Sequence, residues 1–232
     1  MSAPRSAAFG ENESTPEGFR QHQFSPPSGS TTVLLVRHGE SAPARPGAPF
    51  ALKDGHGDPE LDPVGVAQAE RVGERLANER VDAIYVTSLR RTHETAAPLA
   101  TRLGLTPIVE PDLREVFLGE WEGGELRARA AAADPIFQRI FEQERWDVIP
   151  GAEPMEEFDA RLQRGLHRVV DAHPDGRVVV VVHGGVIGQL LHRVTGSRPF
   201  AFAGADNASI SEVVVAGSRT ILRRYNDTSH LT

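Results

Sequence analysis

The 232-residue chain contains no cysteine. That excludes disulfides, thiolate nucleophiles and sulfur-ligated zinc or iron–sulfur sites. Lysine is nearly missing too: of the 25 basic residues only Lys53 is a lysine, which leaves 24 arginines. No run approaches the roughly 18 apolar residues of a membrane span. The N-terminal stretch, with Phe9, Phe19 and Phe24 scattered among Ser, Pro, Gly and Glu, has no contiguous apolar segment of the kind a secretory signal needs. Positive charge is in deficit, 25 basic against 32 acidic residues, for a formal net charge of -7. That argues against general nucleic-acid binding, which draws on pooled positive charge. Small anions remain acceptable ligands, because one local arginine cluster can outweigh a global sign. The expectations are a cytoplasmic protein without nucleic-acid or membrane partners; a homodimer is left open.

What is present reads as one tail and one domain. Residues 1–31 have the composition of a disordered arm, and residues 227–232 read as a loose end. Between them, Thr32 to Val36 is a continuous β-branched run, as in a strand covered on both faces. Residues 42–59 form a loop rich in Pro and Gly. Asp62-Pro63 reads as an N-cap with proline in the first helical position, opening a helix over 63–79. A strand over 81–87, a helix over 90–103 ended by Gly104, and a short strand over 106–109 follow. Residues 122–146 read as helical. Phe158, Leu162, Leu166 and Val169 mark another helix. Val178 to Val182 is five valines in a row, the clearest buried strand. Gly184-Gly185 opens a helix to Thr195, and residues 211–215 and 220–225 read as a closing hairpin. Strands alternating with helices imply βαβ units and a mostly parallel sheet. In such sheets ligands bind outside the carboxyl ends of the strands.

Three strand ends there carry reactive groups. The first runs into Arg37-His38-Gly39-Glu40-Ser41, the second into Thr87-Ser88-Leu89-Arg90-Arg91, and the valine strand into His183-Gly184-Gly185. Arginine's planar fork matches phosphate bidentately, and the N-terminus of the helix after His183 favours an anion. With cysteine absent, histidine is the leading candidate nucleophile. A carboxylic acid is then wanted to protonate the leaving oxygen, and Leu113-Arg114-Glu115 supplies one.

These segments carry a resemblance. Arg37 to Ser41 looks like the Arg-His-Gly signature of the histidine phosphatase superfamily, phosphoglycerate-mutase-like branch. Leu89 to Ala96 resembles its second arginine motif, which places the role on Arg91. Leu113 to Gly123 resembles the proton-donor motif, and Val182 to Ile187 the second-histidine motif. Four motifs in the family's order, over residues 32–225, make the likeness specific. It implies an α/β fold, three-layer and doubly wound, with a mostly parallel sheet and helices on both faces, in one catalytic domain over 32–226 that carries a helical lid segment about 119–155. It implies His38 as nucleophile through a phosphohistidine and Glu115 as general acid, then general base. Arg37, Arg91 and His183 would hold the phosphoryl oxygens, with Ser41 and Gly184 as further substrate contacts. No metal and no cofactor is implied, and the partner is a phosphorylated small molecule.

Within two of the motifs a neighbour competes. Arg90 and Arg91 point about 100° apart on a helix, so only one faces the crevice; Glu120 and Glu122 compete with Glu115. The sequence also departs from the family at Ala44, where many members carry an asparagine near the phosphate; Ser41, Arg45, Lys53 and His56 are the available substitutes. His93, His167, His173 and His192 read as solvated or core-edge residues. Phosphomonoester hydrolysis is the leading reading. A phosphoglycerate mutase using the same phosphohistidine is the alternative, and a non-catalytic sensor of a phosphorylated ligand is the third. The Glu-Trp-Glu-Gly stretch after Glu115 and the shortness of the segment behind it favour the phosphatase.

Overall fold

The computed structural model describes residues 21–232, so residues 1–20 of the expected arm lie outside the described residues. The central sheet begins with β1 (Thr31–Arg37). A small hairpin, β2 (Leu52–Lys53) and β3 (His56–Gly57), follows. Then come α1 (Pro63–Leu76), β4 (Ala83–Val86), α2 (Arg90–Leu103) and β5 (Ile108–Val109). The helices α3 (Glu125–Ala131), α4 (Pro135–Gln143) and α5 (Met155–Asp171) precede β6 (Arg177–Val182) and α6 (Gly184–Thr195). The chain closes with β7 (Ile210–Ala216) and β8 (Arg219–Asp227). The six-stranded sheet runs in the order β5-β4-β6-β1-β7-β8. β1, β6, β4 and β5 are parallel, and β7 and β8 are antiparallel to their neighbours.

The layers follow from side-chain alternation. Leu34 and Val36 of β1, with Val179 and Val181 of β6, pack against Val72, Leu76, Ala96 and Leu99 of α1 and α2. Val33 and Leu35, with Val178, Val180 and Val182, face the opposite way onto Phe158, Leu162, Val169 and Ile187 of α5 and α6. A strand buried on both faces needs an unbroken apolar run, and each buried side chain contributes about 1.5–3 kcal/mol of transfer free energy. This is the expected three-layer α/β sandwich with a mostly parallel sheet. β1 and β6 are adjacent and parallel, with Arg37 opposite Val182. Their carboxyl ends therefore deliver His38 and His183 side by side.

Four expectations change. The segment 122–146 is two helices, not one. Pro135 lacks the N–H a continuing helix would use, and Asp134 instead caps α4 by accepting from the Ile136 N–H at 2.7 Å. The 42–59 loop contains the β2–β3 hairpin, turned by Asp54 and Gly55, both at positive φ. The C-terminal residues are held down: His230 Nε2 meets the Ala208 carbonyl at 3.1 Å and Leu231 packs on the α1–α2 core. At the other end Thr31 already belongs to β1, and the Gly29 N–H donates to Asp175 Oδ1 at 2.5 Å.

Among the described residues, no helix is long and apolar enough to cross a membrane. The 119–155 segment has a small core of its own, Trp121, Ile140 and Ile149.

Candidate active site

His38 directly follows β1 and is buried, 6% exposed. Its N–H donates to the Val182 carbonyl, which locks the two strand ends together. Its Nδ1 lies 2.7 Å from the Gly39 carbonyl oxygen. A carbonyl can only accept, so Nδ1 carries the proton and Nε2 keeps its lone pair. The Arg91 Nε–H donates to that lone pair at 3.2 Å. Burial, reinforced by the Arg91 and Arg37 guanidiniums, holds the imidazole well below the usual histidine range. The buried imidazole of His38 thus favours its neutral form.

His183 is wholly buried at the head of α6, its ring 5.2 Å from that of His38. Its Nε2 lies 3.0 Å from Thr87 Oγ1. Burial, then the Arg91 charge, pushes its pKa well down. Arg37 turns back to donate to the Ala205 carbonyl. Arg91, 8% exposed, gives Nη1–H to the Gly57 carbonyl at 2.9 Å. Arg90 points away to the surface, paired with Glu60 and Glu94, so Arg91 is the one that faces the crevice.

Glu115 sits in the loop before α3, its Oε2 accepting from the Gly185 N–H at 3.1 Å and its Oε1 from the Val116 N–H at 3.0 Å. A Cβ at Gly185 would lie 2.5 Å from Glu115 Oε1, so any side chain there would push the carboxylate out of this position. Glu122 is occupied in holding loops, accepting from Gly57 and Leu118 N–H groups. Glu120 is exposed. Gly184 lies against the Arg37 guanidinium, its position leaving 3.4 Å between a built Cβ and Arg37 Nε.

Arg37, His38, Arg91 and Glu115 share one floor pocket of about 180 Å³. Ser41 and Asn207 lie beside it in a larger cleft of about 980 Å³ that also contains Arg37 and His38. Asn207 Nδ2 donates to the His38 carbonyl at 3.0 Å. Buried nitrogens without a hydrogen-bond partner gather here: Arg37 Nε, His183 Nδ1 and His56 Nε2. Buried polar atoms are normally satisfied, so unpaired ones at a cleft point to a polar ligand. Among the described residues no group of three or more His, Asp or Glu is arranged to hold a metal ion.

One of the substitutes open to the sequence reading, His56, lines the floor pocket, and one further residue, Arg127, escapes that reading. His56 lines the floor pocket because the β2–β3 hairpin turns it inward against Phe117; the Asp54-Gly55 turn was the available signal. Arg127 of α3 lines both the floor pocket and the larger cleft. It donates to Ser41 Oγ at 2.6 Å and to the Ala42 carbonyl at 2.8 Å. Its helix can come this close because Gly124, at φ +103, rests on Ala44: a Cβ there would lie 3.0 Å from Ala44 Cβ. The small residue at 44 and the guanidinium at 127 are thus two sides of one packing arrangement. Of the other substitutes, Arg45 is an exposed residue of the larger cleft and Lys53 is exposed on the hairpin.

Comparison with known proteins identifies the family. The model of the histidine phosphatase superfamily (branch 1) matches residues 33–228. The chain is 35% identical over 206 residues to the Arabidopsis thaliana phosphoglycerate mutase-like protein 4, covering 86% of each. It is 31% identical over 205 residues to the metal-independent phosphoserine phosphatase of the same plant, covering 87% of this chain and 84% of the relative. Among solved structures, a mycobacterial glucosyl-3-phosphoglycerate phosphatase superposes with a TM-score of 0.69 at 26% identity, over 86% of this chain and 100% of that one. A Bacillus anthracis phosphoglycerate mutase shares the fold, with a TM-score of 0.74 at 24% identity over 88% of this chain and 96% of that one. The chain belongs to branch 1 of the histidine phosphatase superfamily and is a histidine phosphatase.

Proposed function

We infer that the protein hydrolyses a phosphorylated small metabolite through a phosphohistidine on His38. The observation that carries this is the state of His38: a neutral imidazole with Nδ1–H tied to the Gly39 carbonyl and its Nε2 lone pair at Arg91. In the first step Nε2 attacks phosphorus, the ester P–O bond breaks, and its electron pair leaves with the alcohol oxygen. The Glu115 carboxyl gives that oxygen a proton. In the second step Glu115 takes a proton from water, the water oxygen attacks phosphorus, and the P–N bond breaks back onto Nε2. Inorganic phosphate leaves and Glu115 is again protonated. Arg37, Arg91 and His183 hold the phosphoryl oxygens, where preorganised donors act on charge that develops in the transition state. Ser41 acts through Arg127, which it anchors, and Gly184 gives Arg37 room.

The test is acid-stable or acid-labile labelling. Rapid mixing with a labelled aryl phosphate should trap an acid-labile, base-stable phosphoenzyme in the wild type and none in His38→Ala. Turnover by His38→Ala at the wild-type rate would overturn the assignment. Rapid interconversion of 3- and 2-phosphoglycerate with negligible phosphate release would move the protein to the mutase reading.

A further inference from the structure

A second cavity opens on the same floor, and it differs from the arginine-rich cleft in chemistry. It holds about 320 Å³ and is walled by Leu118, Leu126, Phe141, Trp146 and Phe200, between the 119–155 segment and α6. Its rings are packed on one another, Phe141 on Phe200 at 5.9 Å and Trp146 on Phe200 at 5.1 Å. Phe141, 51% exposed, belongs with these rings to one apolar wall and is not an isolated surface residue. Only two charged residues line the cavity, Arg37 and Glu115. Gln189, also on its wall, is committed to Asp159 at 3.1 Å.

Phosphoryl transfer places the attacking and leaving atoms roughly in line through phosphorus. His38 lines the floor pocket and the arginine-rich cleft but not the aromatic cavity; Glu115 lines the floor pocket and the aromatic cavity but not the arginine-rich cleft. With the phosphoryl group on the floor, the leaving oxygen lies away from His38 and next to Glu115. The path beyond that oxygen runs into the aromatic cavity. We propose that this cavity is the leaving-group subsite and that it selects a neutral, apolar alcohol, an aryl or alkyl phosphate, over a charged one. A carboxylate or an ammonium–carboxylate head would find no cation there except Arg37, which the phosphoryl group uses, and would lose its hydration. The volume suits one ring system or a short branched chain.

The inference rests on the phosphatase reading, and the experiment separates the two. The wild type and the Phe141→Ala and Phe141→Leu variants are assayed with 1-naphthyl phosphate, phosphoserine and 3-phosphoglycerate. The wild type should favour naphthyl phosphate in kcat/KM by about tenfold or more, the range one hydrophobic pocket contact can supply. In Phe141→Ala the naphthyl-to-phosphoserine ratio should fall about tenfold. Phe141→Leu, which keeps an apolar wall, should restore most of it. Because the readout is a ratio on one protein, partial unfolding cancels. A wild type that prefers phosphoserine or 3-phosphoglycerate, or a ratio that Phe141→Ala leaves unchanged, overturns the subsite. A wild type that releases phosphate from none of the three overturns the phosphatase reading itself.

Discussion

Away from the cleft, arginine and carboxylate come in pairs: Arg102 with Glu70, Arg129 with Glu125 and Asp134, Arg145 with Asp147, Arg168 with Glu110 and Asp112. In the cleft they do not. Arg37, Arg91 and Arg127 form no ion pair with any carboxylate of the described residues. Instead they donate to carbonyls, to Ser41 and to His38. The same residue type thus has two uses. A paired arginine tidies a solvated face and contributes little. An unpaired, desolvated one is a cost to folding that an arriving anion offsets. This is how a chain with a net charge of -7 keeps a local cluster of unpaired cations.

The largest expected effect comes from making a cleft arginine neutral while keeping its bulk. Arg91→Met should lower kcat/KM for an aryl phosphate by about 10²–10³-fold, the cost of one preorganised donor to a developing anion. Its melting temperature should hold or rise, because an unpaired buried charge is gone. Arg127→Met should show a smaller loss, mainly in KM, because Arg127 is exposed where Arg91 is buried. A clear fall in melting temperature in either variant, without loss of activity, would mean that the cleft arginines are ordinary structural cations.

Arg161 tests the boundary between the two uses. It is buried, 12% exposed, and paired with Glu153, 14% exposed. It also donates to the Asp112, Arg114 and Glu115 carbonyls, which fixes the loop that carries the candidate acid. Arg161→Ala strands Glu153 and frees three carbonyls. It should cost about 3–5 kcal/mol in denaturant unfolding, as removing one partner of a buried pair does. Activity should fall through kcat. Arg161→Lys should rescue little, since a point charge cannot reach three carbonyls and a carboxylate together.

Much of the floor was readable in the sequence for a physical reason. Strand ends in a parallel sheet are where the chain must leave, so a strand marked by five valines announces where His183 emerges. The walls were harder. His56 depends on the Asp54-Gly55 turn, a two-residue signal inside a stretch that Pro and Gly make look formless. Arg127 depends on where α3 docks, and that is set by Gly124 meeting Ala44 some eighty residues earlier in the chain. Asp134-Pro135 opens α4 as Asp62-Pro63 opens α1. The alanines ahead of it, Ala130 to Ala133, hid it, because their high helix propensity suggests continuity. Local signals mark elements; long-range packing decides which face of α3 lines the cleft.

The unpaired guanidiniums also bear on pH. Both histidines are held neutral, so below the ordinary value of 6.5 the unfolded chain takes up protons that the folded one refuses. Stability should therefore fall as pH drops through 6.5. His183→Gln, measured by thermal melts between pH 7.5 and 5.5, should flatten that slope. In kcat/KM, the acid limb that reports protonation of His38 should lie below the usual histidine range. In Arg91→Met it should move up, since one depressing charge is gone. An acid limb that stays put in Arg91→Met would detach His38 from the cleft charge.

The smallest expected effect is the sharpest contrast. Arg90 precedes Arg91 in the chain, and its charge is spent on Glu60 at 2.9 Å and Glu94 at 2.5 Å in open solvent. Exposed pairs of this kind are screened by salt and pay side-chain entropy to form. Arg90→Ala should leave kcat/KM unchanged and produce no resolvable shift in melting temperature at 0.15 M salt. The backbone N–H of Arg90, which donates to Asp58 Oδ1 at 2.7 Å, survives the substitution, so the loop ahead of α1 keeps its anchor. A loss of activity in Arg90→Ala approaching that of Arg91→Met would show that the two arginines act together on the phosphoryl group. The separation of surface from cleft would then fail at the point where the chain draws it most finely.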